Sequence, residues 1–259
     1  MRVLIKIYIK QPLTRRSFGR KLRCASFAPH SLVVSRRMSM NWDLAKLREH
    51  IDRVYGCDSV QRSFLDSIDR YILIQVYHRN QATDAMKGIV HEGDGSIFAN
   101  TRFVLGVAEN QQDYAFAKIA NEANLIALIY ATRATYDIFS QLVNSLVLND
   151  QFSIERCNIG KVGDALPESS LKAELKRVRE LSWYRWLMDF VNTVKHRQLV
   201  KHSFAVNMQK SGAGIFIESF EYKKRKHPKC SDSEIIGGVI ELAKGIVPCG
   251  HALNNILCP

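Results

Sequence analysis

The chain has 259 residues, 46% hydrophobic and 24% charged, an ordinary globular composition that suits one large domain or two small ones. Its net charge of +12 is unevenly placed, because residues 1–40 hold ten Lys and Arg and no acid. The remainder carries 27 basic against 25 acidic side chains. Whole-chain basicity is therefore no argument for nucleic-acid binding.

Residues 1–39 read as a basic extension, acid-free and broken by Pro12 and Pro29. Two explanations stay open: a mitochondrial transit peptide, or a start placed too early, with Met38 or Met40 the initiator. From Met40 the chain reads MNWDLAKLREHIDRVYG, with Asn41 or Asp43 suited to a helix N-terminus. Residues 40–259 are expected to form one helical domain. The opening MRVLIKIYI is too short and too charged for a signal core or a membrane span. Later apolar runs are expected to fall short as well, since Glu122, Arg133 and Asp137 interrupt the best of them. The expectation is a soluble cytoplasmic protein, mitochondrial if the leader is genuine, with no membrane contact.

Helices are expected over 41–54 and 58–79, with Tyr55-Gly56 as the break. In the second, Phe64, Ile68, Tyr71, Ile72 and Val76 recur at helical spacing. Residues 87–101 read as loop, and His91, Glu92 and Asp94 there suit a solvated turn better than a metal site. Residues 114–148 form the longest helix candidate, apolar over most of its circumference and so central in the bundle. Arg133, Asp137, Ser140, Gln141 and Asn144 nevertheless align on one face, with Arg133 and Asp137 at ion-pair spacing.

A connector over 149–167 leads to a charged helix over 170–181. The next segment, SWYRWLMDFVNTVKHRQLVKH over 182–202, reads as one helix capped by Ser182. Trp183, Leu187, Phe190 and Val194 form its apolar stripe, flanked by Trp186 and Val191. Arg185, Asp189, Asn192 and His196 fall on the opposite side, within about 60° of one another. That polar line is either a site or a hydrogen-bonded seam against the polar face of 114–148, because burying such a stripe without partners is costly.

Alternation over 203–209 and 215–222, around Ser211-Gly212-Ala213-Gly214, predicts a hairpin. The basic run Lys223–His227 follows, and a last helix runs from Asp232 towards Ile256. The fold class is mainly α, an up-and-down helical bundle with a small β-hairpin inserted before the last helix. Six cysteines without CxxC spacing imply free thiols in a reducing compartment. His227, Cys230, Cys249 and His251 are zinc-compatible, but their spacing matches no standard site. No metal and no cofactor are expected.

With ALIYATRATYDIFSQLVN at 127–144, FVNTVKHRQLV at 190–200, the hairpin and the last helix, the chain resembles the HEPN superfamily of helical-bundle domains. It is most similar to uncharacterised bacterial members. The resemblance implies a homodimer that cleaves RNA without metal through Arg-x(4–6)-His with a polar residue after the Arg. Implied partners are single-stranded RNA or tRNA and a cognate antitoxin or other protein, in a defence or toxin–antitoxin setting.

Two registers fit. Arg197 and His202 match the motif literally, with Gln198 after the Arg. Asn192 and His196 match its polar residue and His, and leave Val191 at the Arg position, so that Arg133, Arg185 or a partner subunit would supply the guanidinium. The chemistry implied is proton transfer by imidazole at the 2′-hydroxyl or the leaving 5′-oxygen, with a guanidinium on the phosphate. The alternatives are a non-catalytic dimerising or protein-binding module and a small-molecule binder. Nothing resembles a P-loop, a dinucleotide fingerprint or a nucleophile elbow.

Overall fold

The computed structural model describes residues 42–91, 96–207 and 212–258, all within one compact unit, Met40–Pro259. Helix α1 (Leu44–Tyr55) begins where the Asp43 carboxylate accepts the Lys46 amide at 2.9 Å, as an N-cap should. It ends at Gly56, whose φ of 92° an L-residue would rarely adopt. Ser59 caps α2 (Val60–Ala85), which outruns the predicted 58–79. The expectations placed on residues 1–41, and on Glu92 and Asp94, fall outside the described residues.

Residues 87–101 are not all loop, for Ser96–Val104 is helix α3. Asn100 is fully buried and holds the His91 backbone through both amide atoms, at 3.0 and 2.8 Å. Phe103 stacks on Tyr114 with ring centres 5.0 Å apart. Those tertiary contacts supply what the local period lacks.

Helix α4 (Gln111–Val147, 37 residues) lies against α2. Its C-terminal half is central as expected: Leu125, Ile129, Tyr136, Phe139, Leu142 and Val143 are buried with Leu65 and Ile68 of α2. Each such side chain contributes about 1.5–3 kcal/mol. The N-terminal half leaves Phe116 and Ile119 exposed. Thr132, Thr135 and Ser140 return their hydroxyls to carbonyls four residues back. Asn144 holds the backbone of Phe152 at both ends of its amide. Much of the polar face of α4 is thus satisfied within its own neighbourhood, rather than by the later helix.

The connector contains helix α5 (Ile159–Ala165), and α6 follows (Ser170–Glu180). Helix α7 spans Ser182–His196 only, and Ser182 makes no side-chain cap. Leu181 alone separates α6 from α7. Past His196 the amides of Arg197 and Gln198 both close on the Thr193 carbonyl. Residue 202 then begins strand β1, so the expected helix to 202 does not form.

Strands β1 (His202–Asn207), β2 (Gly212–Ile217) and β5 (Cys230–Ser231) make an antiparallel sheet in the order β1-β2-β5. Phe204 and Ile215 pack from it onto Met86, Phe103 and Tyr114. Strands β3 (Phe220–Tyr222) and β4 (Arg225–His227) form a second hairpin, so the basic run is partly strand.

Helix α8 (Asp232–Leu257) starts from a full capping box of Ser231 and Glu234. By length and composition α8 is apolar enough to cross a membrane, contrary to the expectation that no run would be. Its inward face, with Ile235, Leu242, Ile246 and Leu253, is buried in the core. Trp42 Nε1 donates to Asn254 at 3.1 Å, Asn254 donates to the Asp43 carbonyl at 2.8 Å, and Lys46 reaches the Cys258 carbonyl at 2.6 Å.

Candidate functional site

Helix α7 buries Leu187, Phe190 and Val191 in the core and stacks Trp186 on Phe190 with centres 4.9 Å apart. Phe220 of β3 meets both rings edge-on, at 5.7 and 5.8 Å. That aromatic contact lays the β3–β4 hairpin against α7. The hairpin turns on two residues, Lys223 and Lys224, at φ 47° and 67°. Those are the angles of a tight two-residue turn, which glycine or asparagine ordinarily fills.

Alternation along β4 puts Arg225 and His227 on one side, and both reach Asp189 of α7. Arg225 grips the carboxylate with Nε and Nη2 at 2.7 and 2.6 Å, and His227 Nε2 lies 2.9 Å from Oδ2. The Asp189 side chain is 1% exposed, that of Arg225 50%. Burial pushes the Asp189 carboxyl up, but Arg225 and then His227 outweigh it and hold the group below the usual carboxylate range. The predicted partner of Asp189 was α4; the observed partner is β4.

On the other flank of α7, Arg133 pairs with Asp137 at 2.7 Å, as their spacing predicts, and touches the Met188 sulfur. Arg185 and His196 are exposed and Asn192 is half-buried. By helical rotation these three lie on the strip between Met188 and the hairpin contacts, His196 two turns beyond Asp189. Among the described residues Asn192 and His196 have no hydrogen-bond partner, so this end of the polar line is open rather than sewn into a seam.

Arg197 sits just past the helix, its guanidinium 4.9 Å over the Tyr222 ring and bonded to the Glu221 carbonyl at 3.4 Å. Lys223 approaches the same ring at 5.5 Å. Lys195, Lys201, Lys224 and Lys226 are all exposed on the flanking segments.

The literal motif is divided. His202 is buried on β1, its Nδ1 3.3 Å from Glu122 of α4 and 3.2 Å from the Val200 carbonyl, while its Nε2 is buried without a partner. Burial lowers its pKa and Glu122 opposes that. Arg197 is held instead by the β3–β4 hairpin. Asn192, His196 and Arg197 share the end of α7; His202 faces another element.

Sequence reasoning missed Arg225, His227 and Tyr222 as neighbours of the polar line. The signal was the alternation Phe220-x-Tyr222 and Arg225-x-His227 around a two-residue break, masked because Lys-Lys is a poor turn signature.

For metal, the described residues contain no group of three or more His, Cys, Asp and Glu placed to hold an ion. Cys249 is buried against the Gly245 carbonyl, His251 is exposed on the same helix, and His227 turns its Nε2 to Asp189. No protein-family model, curated protein or solved structure matches the chain.

Proposed function

We propose that this is a HEPN-like, metal-independent endoribonuclease of single-stranded RNA, of a defence or toxin–antitoxin type, acting in the cytoplasm as a homodimer. The observation that carries the reading is the open end of α7. There an exposed imidazole, His196, adjoins a guanidinium, Arg197, laid on an aromatic ring, with lysines on both flanking segments. In this reading Arg197 holds the nonbridging phosphate oxygens and His196 moves a proton at the scissile phosphodiester. Asn192 orients the backbone, and Arg185 adds positive charge along the strip, while Arg133 is neutralised by Asp137. Single strands suit such a surface because their bases and 2′-hydroxyls can be splayed onto aromatic and guanidinium planes. Exposed Phe98, Leu105, Phe116 and Ile119 are among the apolar side chains available to a second copy.

The test is cleavage of a mixed single-stranded RNA pool in EDTA by the full chain. Cyclic-phosphate ends should disappear in Asn192→Ala, His196→Ala and Arg197→Ala. His202→Ala should cleave while destabilising the fold. A second reading, a non-catalytic binding module, is favoured by the closure of Asp189 under the hairpin and of His202 behind Glu122. Absence of cleavage at any protein concentration selects that reading.

A further inference from the structure

Pinning the hairpin to α7 requires only Arg225, whose fork already engages both Asp189 oxygens. His227 adds something different. The Asp189 carboxylate can only accept, so the hydrogen between them resides on His227 Nε2. In the neutral ring this makes Nδ1 a lone-pair acceptor. Phe220 stacks on the imidazole with centres 4.6 Å apart and fixes its plane. Nδ1 has no hydrogen-bond partner among the described residues, and 11% of the side chain remains exposed. Beside it Arg225 is half-exposed and keeps Nη1 free of partners among the described residues. One buried carboxylate thus presents a guanidinium donor and a proton acceptor side by side, at the edge of the strip that leads to His196.

We infer that His227, oriented by Asp189, is the general base of RNA cleavage and that Arg225 binds the scissile phosphate; this rests on the endoribonuclease reading. His227 Nδ1 takes the proton of the ribose 2′-hydroxyl as the 2′-oxygen bonds to phosphorus. The bond from phosphorus to the 5′-oxygen breaks, and a water molecule gives that oxygen its proton. The products are a 2′,3′-cyclic phosphate and a 5′-hydroxyl. Solvent then takes the proton from His227 and restores the neutral ring. Asp189 is a positioning residue, since it touches only Arg225 and the far edge of the ring.

The experiment is cleavage of one defined single-stranded RNA in EDTA by the full chain, with wild type beside His227→Gln and Asp189→Asn. Circular dichroism checks that each variant is folded. His227→Gln should lose about 100-fold or more in kcat, with KM little changed. Asp189→Asn should lower kcat while retaining RNA binding. A folded His227→Gln or Asp189→Asn that keeps the wild-type kcat overturns this inference alone and leaves the His196–Arg197 reading standing. Wild type that does not cleave overturns both.

Discussion

The Trp42 indole lies so close to Gly250 of α8 that a Cβ at position 250 would come within 2.2 Å of the ring. Trp42 cannot yield, because it is buried and its Nε1 is bonded to Asn254. Gly250→Ala should therefore destabilise by about 2 kcal/mol, an overpacking penalty that exceeds the gain in helix propensity. Gly238 makes a similar approach to Trp183, at 2.0 Å, but Trp183 is only half-buried and can swing aside. Urea unfolding of the two alanine variants should show the larger loss at 250.

The clasp on Asp189 predicts an asymmetry between its members. Arg225→Ala leaves a buried carboxylate with His227 as its one remaining partner, and should cost about 2–4 kcal/mol. Asp189→Leu removes the buried charge, and the half-exposed guanidinium can turn to water, so it should cost less than Arg225→Ala. Chemical denaturation of both variants decides this. Equal losses below about 1 kcal/mol would mark the pair as an ordinary surface bridge.

His202 makes stability sensitive to acid. Its folded pKa lies below the ordinary 6.5 because burial opposes the charged ring more than Glu122 favours it. As pH falls, the unfolded chain takes up this proton first. The contribution is therefore fully present above about 6.5 and is lost as pH falls through the folded value. Wild type should lose more stability between about pH 7.5 and about pH 5.5 than His202→Gln does, in parallel urea titrations.

The turn of the β3–β4 hairpin exchanges backbone comfort for charge. Lys224 at φ 67° occupies the left-handed region, a placement that costs an ordinary residue about 1 kcal/mol or more. Lys224→Gly should raise stability by about that amount and, on the proposed ribonuclease reading, weaken RNA binding. Fluorescence anisotropy with a labelled single strand, run at two salt concentrations, measures the second effect.

Local patterns made the helical fold legible. In α2 the expected stripe of Phe64, Ile68, Tyr71, Ile72 and Val76 does face inward, with Ile68 fully buried and the others half-buried; Asp43 and Asp232 stand at helix starts as expected. The unexpected helix α3 depends on Asn100 and Phe103 finding His91 and Tyr114, contacts that no local period announces. The polar line on α7 was visible, but not what it faces. Asp189 meets residues 36 and 38 positions later, through a hairpin whose turn carries lysines where glycine or asparagine would have signalled it. The separation of Arg197 from His202 was hidden for a related reason. Val200 and His202 leave the helix to be buried, and Ile217 across the sheet fixes that register.

The fastening of α1 by Asn254 and Cys258 also bears on how the chain acquires its fold. Those bonds join residues about 212 positions apart in sequence, among the longest loops this unit could close, and closure entropy grows with loop length. On a ribosome α1 and its neighbour α2 emerge early, yet the second helix that α1 packs on, α8, is not complete until residue 258 has been made. Through most of synthesis the apolar face of α1 can rest on α2 but not on α8. Folding rate should accordingly respond little to changes at Asn254, and unfolding rate strongly, as befits a contact made last.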